Sequence, residues 1–93
     1  MGKEVSFKNR DRFIQLGVAI AASRKLRGMS QEQLAEKANV SRSLISIIEA
    51  PGIVTNFSLE SLYNIADALG VDPADLLNAS VFPDQIITNK KQS

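Results

Sequence analysis

The chain has 93 residues, 44% of them hydrophobic, with no cysteine or histidine, which predicts one small domain without disulfides, thiol or imidazole nucleophiles, or ordinary zinc sites. The longest apolar run is seven residues, at positions 16–22, whereas a bilayer span needs about 20, so we expect a cytoplasmic protein with no membrane partner. The net charge of +1 hides an asymmetry: residues 1–49 carry nine basic and five acidic residues, and residues 50–93 carry two and five, so one end is suited to a polyanion.

The N-terminal part predicts a polar lead followed by a long helix. Residues 1–11 show no hydrophobic period, and we expect a flexible segment. Residues 12–27 then show two apolar stripes at helical spacing, formed by Phe13, Leu16 and Ile20, and by Val18 and Ala22. Because the helix is apolar over more than one face, we expect something besides the first core to cover it. Gly28 is a typical helix end.

Four shorter helices are predicted to follow, and each is preceded by a polar residue that can cap its N-terminus. These residues are Ser30, Ser41, Ser58 and Asp72. Ser30 belongs to an S-x-x-Q capping box with Gln33, and Asn39 lies where a tight turn favours a left-handed residue. The sequence therefore predicts an all-α domain of five helices at residues 12–78, followed by a tail at residues 79–93.

The segment 30–49 has the pattern of a helix-turn-helix. Ala35 is small where the two helices would cross, Val40 is apolar within the turn, and Ile45 and Ile48 have the spacing of core residues. An ordinary corner between two helices is the alternative. The coincidence of all these positions favours the helix-turn-helix, which projects its second helix from the surface.

These residues resemble the lambda-repressor/Cro-like (XRE-type) helix-turn-helix family. The matching positions are Leu16-Gly17, Ile20, Arg24, Gly28-Met29-Ser30-Gln31, Leu34-Ala35, Val40-Ser41, Ile45-Ser46 and Ile48-Glu49, continued by Ser58-Leu59, Leu62, Ile65-Ala66 and Ala68-Leu69-Gly70-Val71. The resemblance covers about residues 13–78. It implies a five-helix lambda-repressor-like DNA-binding domain whose third helix enters the major groove of double-stranded DNA.

The resemblance implies that Arg42, Ser43 and Ile47 face the bases. Arginine can donate two hydrogen bonds to guanine, whereas serine pairs with several base edges. Ile47 has no polar group, so its available contact is the methyl group of thymine.

Five further residues are implied to approach the DNA backbone. Gln31 matches a position that contacts a phosphate or braces a base-reading side chain, at a helix end that favours anions. Ser41 and Ser46 are candidates for phosphate contacts, and Lys25 and Arg27 are cations close to the motif. Arg24 and Glu49, by contrast, match positions that form a structural ion pair, which we expect to be partly buried.

Departures from the family pattern leave a second function open beside DNA binding. Ile47 occupies a position that is often polar, residues 50–52 lack a side chain that often touches phosphate, and residues 53–57 contain no lysine or arginine. The alternative is a protein-interaction module, antitoxin-like or an adaptor, with weak or no DNA binding on the same fold.

A homodimer is expected because one such helix reads only a few base pairs. The candidate contacts lie in the fifth helix and the tail: Leu76, Leu77, Val81 and Phe82, with Ile86, Ile87 and the Val18/Ala22 flank as further apolar surface. Alternatively, the tail folds back on that flank of the first helix.

The leading hypothesis is a sequence-specific DNA-binding transcriptional regulator, a dimeric repressor that reads the major groove with residues 41–49. We predict no catalytic residue, because capping and solvent exposure explain the acidic cluster of Asp67, Asp72 and Asp75. No cofactor, metal or small-molecule ligand is predicted.

Overall fold

The computed structural model describes residues 4–79, and these form an all-helical domain. A 3-10 turn, Phe7–Asn9, is followed by five α-helices: α1 Arg10–Leu26, α2 Gln31–Ala38, α3 Arg42–Glu49, α4 Leu59–Leu69 and α5 Pro73–Ala79. The predicted five-helix, all-α fold is thus confirmed, and no strand occurs within residues 4–79. In the same part of the chain, no helix has the length and apolar character needed to cross a membrane.

The first helix begins two residues earlier than the sequence predicted. α1 starts at Arg10, and the 3-10 turn takes up three more residues of the predicted lead. The side chain of Arg12 donates to Asn9 Oδ1 at 3.2 Å across this first turn. None of the three residues of this turn is buried, and its one apolar residue, Phe7, is 91% exposed, so hydrophobic periodicity gives no sign of it.

The predicted caps are confirmed at the next three helices. Ser30 Oγ accepts from the backbone N–H of Gln33 at 3.0 Å, and Gln33 Oε1 accepts from the backbone N–H of Ser30 at 2.8 Å, which completes the capping box. Ser41 and Ser58 cap α3 and α4 without a reciprocal bond: their side chains accept from the backbone N–H groups of Leu44 and Ser61. Asn39, between α2 and α3, adopts the left-handed conformation, with φ 56°.

A single core holds the helices together, and α2 lies at its centre against α3 and α4. The largest fully buried side chains are Ile20, Leu34, Ile45, Ile65 and Leu69. Leu59, in the first turn of α4, is 60% exposed and is not part of this core. Phe57, just before α4, packs edge-on against Phe13 of α1 with ring centroids 6.1 Å apart.

One predicted dimer contact is wrong. Leu76 is only 3% exposed, because α5 packs against α1 and α4 and turns this side chain into the core. Leu77, the next residue, is 46% exposed. Val81 and Phe82, together with Ile86 and Ile87, lie outside the described residues.

Candidate nucleic-acid interface

The third helix has one face in the core and the other at the surface. Ile45 and Ile48 are 0% and 6% exposed and fix α3 against the rest of the domain. The opposite face carries four exposed side chains that line one shallow depression: Arg42, Ser43, Ser46 and Ile47. The structure therefore brings together the three residues predicted to face bases and one of those predicted to face phosphate.

Ser41 lies at the start of this face, and its side chain already accepts a hydrogen bond within the domain. Its Oγ accepts from the backbone N–H of Leu44 at 3.0 Å. A hydroxyl that accepts a capping bond keeps its own O–H to donate. Ser41 is exposed, so capping α3 and donating to a phosphate are compatible.

A close approach of α1 and α3 fixes where the exposed face points, and sequence reasoning assigned it no role. A Cβ atom on Gly17 would collide with the backbone carbonyl oxygen of Ile48. Only glycine allows the two backbones to come this close. The available signal was a glycine in the middle of a helical pattern, which often marks close packing.

Arg24 and Glu49 form a partly buried, bidentate ion pair between α1 and the last residue of α3. Arg24 Nε donates to Glu49 Oε2 and Arg24 Nη2 donates to Glu49 Oε1, both at 2.8 Å. The two side chains are 10% and 5% exposed. The hydrogen bond to Glu49 raises the pKa of Arg24 above its ordinary value, although burial acts in the opposite direction. The ion pair that the resemblance implied is thus present, and it is partly buried as expected.

Gln31, the first residue of α2, is tied to this ion pair. Its Nε2 donates to Glu49 Oε1 at 3.0 Å, and its side chain is partly exposed. The bond to the last residue of α3 was not predicted, since sequence reasoning considered only a phosphate or a base-reading side chain as its partner.

Lys25 and Arg27 are exposed near the end of α1, and neither lines the depression on α3. Lys25 borders an apolar groove between α1 and the end of α3, with Val18 and Ala22 on one side and residues 50–52 on the other. The flank that the sequence marked as apolar is thus one wall of a groove. Val18 in that wall is 57% exposed.

A second apolar depression lies on another side of the domain. Leu59 and Leu77 line it together with Phe13, Leu16, Phe57 and Leu62. Leu77 is the predicted dimer residue that the described structure leaves at the surface.

Comparisons with known proteins agree with this architecture. A helix-turn-helix family model matches residues 20–76. The chain is 48% identical over 56 residues to the immunity repressor protein of Bacillus phage phi105, a match that covers 60% of this chain but only 38% of the phage protein.

Two solved structures have similar folds. The restriction-modification controller protein C.AhdI from Aeromonas hydrophila has a TM-score of 0.63 and 30% identity, over 69% of this chain and 94% of that one. The clp gene regulator ClgR from C. glutamicum has a TM-score of 0.65 and 30% identity, over 74% and 87%. Since the family model matches more than half of its residues, the chain belongs to the helix-turn-helix family, of the lambda-repressor/Cro-like (XRE) type that its sequence resembles.

Proposed function

We propose that the chain is a DNA-binding transcriptional regulator that inserts α3 into the major groove of duplex DNA. The observation that carries this proposal is the division of α3 into two faces. Ile45 and Ile48 are locked in the core, while Arg42, Ser43 and Ile47 are exposed side by side. A rigid helix that projects short and long side chains from its outer face fits the width of the major groove.

The chemistry of the outer face indicates which bases it reads. The Arg42 guanidinium suits O6 and N7 of guanine, and Ile47, 39% exposed, suits the methyl group of thymine. Ser43 bonds several base edges and contributes little discrimination. Ser41 and Ser46 donate to phosphates beside the groove.

Contacts to the DNA backbone come from residues around the motif. Gln31 donates to a phosphate from the first turn of α2, where the free backbone N–H groups also favour anions. Lys25 and Arg27 add positive charge near the end of α1. The excess of basic residues before residue 50 favours the approach of this end of the domain to DNA.

The regulator acts as a homodimer in the cytoplasm, with each protomer on one half-site. The apolar depression that includes Leu59 and Leu77 supports self-association. Val81 and Phe82, the other candidate dimer contacts from the sequence, lie outside the described residues. Leu76 has no part in it, because it is buried within its own protomer.

Repression is the direction of control that the phage relative supports. That relative is an immunity repressor, and this chain spans 38% of its length. The controller and gene regulator with similar structures are also regulatory proteins. These comparisons favour a regulator over the interaction module without DNA binding and over an enzyme.

Selection of duplexes from a random-sequence pool tests the proposal. We expect a recovered palindrome, with half-sites about 34–36 Å apart, and affinity that falls as salt rises. Arg42→Ala is expected to cost about 1–3 kcal/mol and to relax the requirement at one guanine, while Lys25→Ala weakens all duplexes equally. If the protein binds no duplex in a salt-sensitive way, the proposed function is wrong.

A further inference from the structure

Three elements meet at the carboxylate of Glu49. It accepts two hydrogen bonds from Arg24 of α1 and a third from Gln31 of α2, while Glu49 itself is the last residue of α3. Gln31 Nε2 and Arg24 Nη2 share the same oxygen, Oε1, at 3.0 and 2.8 Å. The ion pair therefore does more than join α1 to α3, because it also holds the side chain at the start of α2.

The charge state of Glu49 fixes the orientation of the Gln31 amide. An ionised carboxylate only accepts hydrogen bonds, whereas a glutamine amide has a donating and an accepting end. The nitrogen of Gln31 must therefore face Glu49, and the carbonyl oxygen must point elsewhere. One N–H is taken by Glu49, and the second remains available on a partly exposed side chain.

The same ion pair also holds the backbone that leads into α2. Arg24 Nη1 donates to the carbonyl oxygen of Met29 at 2.6 Å. Met29 lies two residues before Gln31, so the guanidinium and the carboxylate hold the start of α2 at two points. Because Glu49 is the last residue of α3, these contacts fix the start of α2 relative to α3. In a duplex that holds α3 in its major groove, the start of α2 would therefore take a defined position.

From this geometry we propose that Glu49 is a positioning residue for DNA binding: it orients the Gln31 amide so that the free N–H donates to a DNA phosphate. This inference rests on the proposed function. The amide bridges two anions, the carboxylate of Glu49 and the phosphate. Arg24 compensates the charge of Glu49, which would otherwise repel the duplex.

A double-mutant cycle on DNA affinity tests the proposal. A duplex of about 30 base pairs of random sequence is a sufficient probe, because phosphate contacts carry no sequence information. Its Kd is measured by fluorescence anisotropy for the wild type, Gln31→Leu, Glu49→Gln and the double variant, and urea titration gives the folded fraction of each. We expect each single variant to bind about five- to tenfold more weakly, and the double variant to be no weaker than either.

The sign of the effect separates positioning from electrostatics. Glu49→Gln removes a negative charge, and charge alone would tighten binding to DNA. Glu36→Gln removes the same charge from an exposed position on α2 and serves as the control, with unchanged or tighter binding expected. Gln31→Leu should leave the dependence of Kd on salt unchanged, since glutamine displaces no counterion.

Four outcomes would overturn the proposal. A wild-type protein that binds no duplex overturns the proposed function and this inference with it. If the wild type binds, two results would show that only the positioning role is wrong. One is folded Glu49→Gln binding as tightly as Glu36→Gln. The other is a double variant whose loss of affinity is the product of the losses from Gln31→Leu and Glu49→Gln. Should Glu49→Gln not fold, hydrogen exchange of the Gln31 side-chain amide in the wild type decides. One amide proton should be protected in the free protein and the other only after the duplex is added, and a second proton that stays unprotected overturns the proposal.

Discussion

Gly17 of α1 lies against the backbone carbonyl of Ile48 in α3, with no room between them for even a methyl group. The contact is made near the end of α3, next to the ion pair of Arg24 and Glu49. A backbone oxygen cannot rotate away as a side chain can. The position of α3, and of the side chains that it exposes, therefore depends on this glycine.

We expect Gly17→Ala to destabilise the domain by about 1–3 kcal/mol, although alanine favours a helix by about 1 kcal/mol over glycine. Urea unfolding measures the difference. Gly28→Ala is the control, since its added methyl group meets nothing within 4 Å and its cost comes only from the left-handed backbone, at φ +70°. A stabilised Gly17→Ala protein would show that α1 and α3 can move apart freely.

The turn between α2 and α3 supports a second prediction. Asn39 has φ 56° and ψ 44°, which asparagine tolerates better than most residues with a side chain. Asn39→Ala should cost about 1 kcal/mol of unfolding free energy, and Asn39→Gly should cost little or nothing, because glycine adopts this conformation freely. Equal losses from both variants, measured by urea titration, would mean that the Asn39 side chain and not its backbone stabilises the turn.

The local features of this fold were predictable, because each depends on a few neighbouring residues. The serines that cap α2, α3 and α4 and the left-handed Asn39 each satisfy backbone requirements within four residues of themselves. The apolar spacing of Ile45 and Ile48 also predicted correctly which face of α3 is buried.

Features that depend on how helices meet were not predictable from spacing. Leu76 and Leu77 are adjacent and identical in chemistry, and only the packing of α5 on α1 and α4 decides which is buried. The bond from Gln31 to Glu49 spans 18 positions and requires the relative placement of two helices. The polar start of α1 was missed because it contributes nothing to the core.

The third prediction concerns the buried ion pair. Arg24→Ala removes one partner and leaves the Glu49 carboxylate without its main counter-charge, at 5% exposure. We expect a loss of about 3–5 kcal/mol in unfolding free energy, because an unpaired buried charge is poorly solvated. Exposed Arg12, which bonds only across its own helix turn to Asn9, offers the comparison, and Arg12→Ala should cost no more than about 0.5 kcal/mol. An unchanged Arg24→Ala midpoint in urea contradicts the structural role of the pair.

The neighbouring leucines of α5 allow a fourth prediction. Leu76→Ala should cost about 2–5 kcal/mol of stability through the cavity that it leaves. Leu77→Asp should leave stability within about 0.5 kcal/mol but weaken self-association, since its side chain is 46% exposed in an apolar depression. Sedimentation at several concentrations measures the second effect. Leu26→Asp changes a more exposed leucine, outside that depression, and should not alter the oligomeric state.

The last prediction concerns the one apolar side chain on the outer face of α3. Ile47 is 39% exposed and lines the depression with Arg42, Ser43 and Ser46. If it packs against a thymine methyl group, Ile47→Ala should weaken binding to the selected duplex by about fourfold. This factor corresponds to about 0.8 kcal/mol, the free energy expected for burying the thymine methyl group. Replacing that thymine by uracil removes the methyl group from the DNA side. The wild type should then lose a similar factor, and Ile47→Ala should lose little more.

Such non-additivity is the signature of a direct contact, since each change removes the same pair of groups. Ser46→Ala, on the same face, provides the comparison: its effect should be the same for thymine and uracil, because a contact to phosphate does not involve the base. Anisotropy titrations measure the Kd of the wild type, Ile47→Ala and Ser46→Ala for the thymine duplex and for the uracil duplex. Full additivity of Ile47→Ala with uracil at every position of the selected site would mean that Ile47 reads no thymine, and that the sequence preference of α3 comes from its polar residues alone.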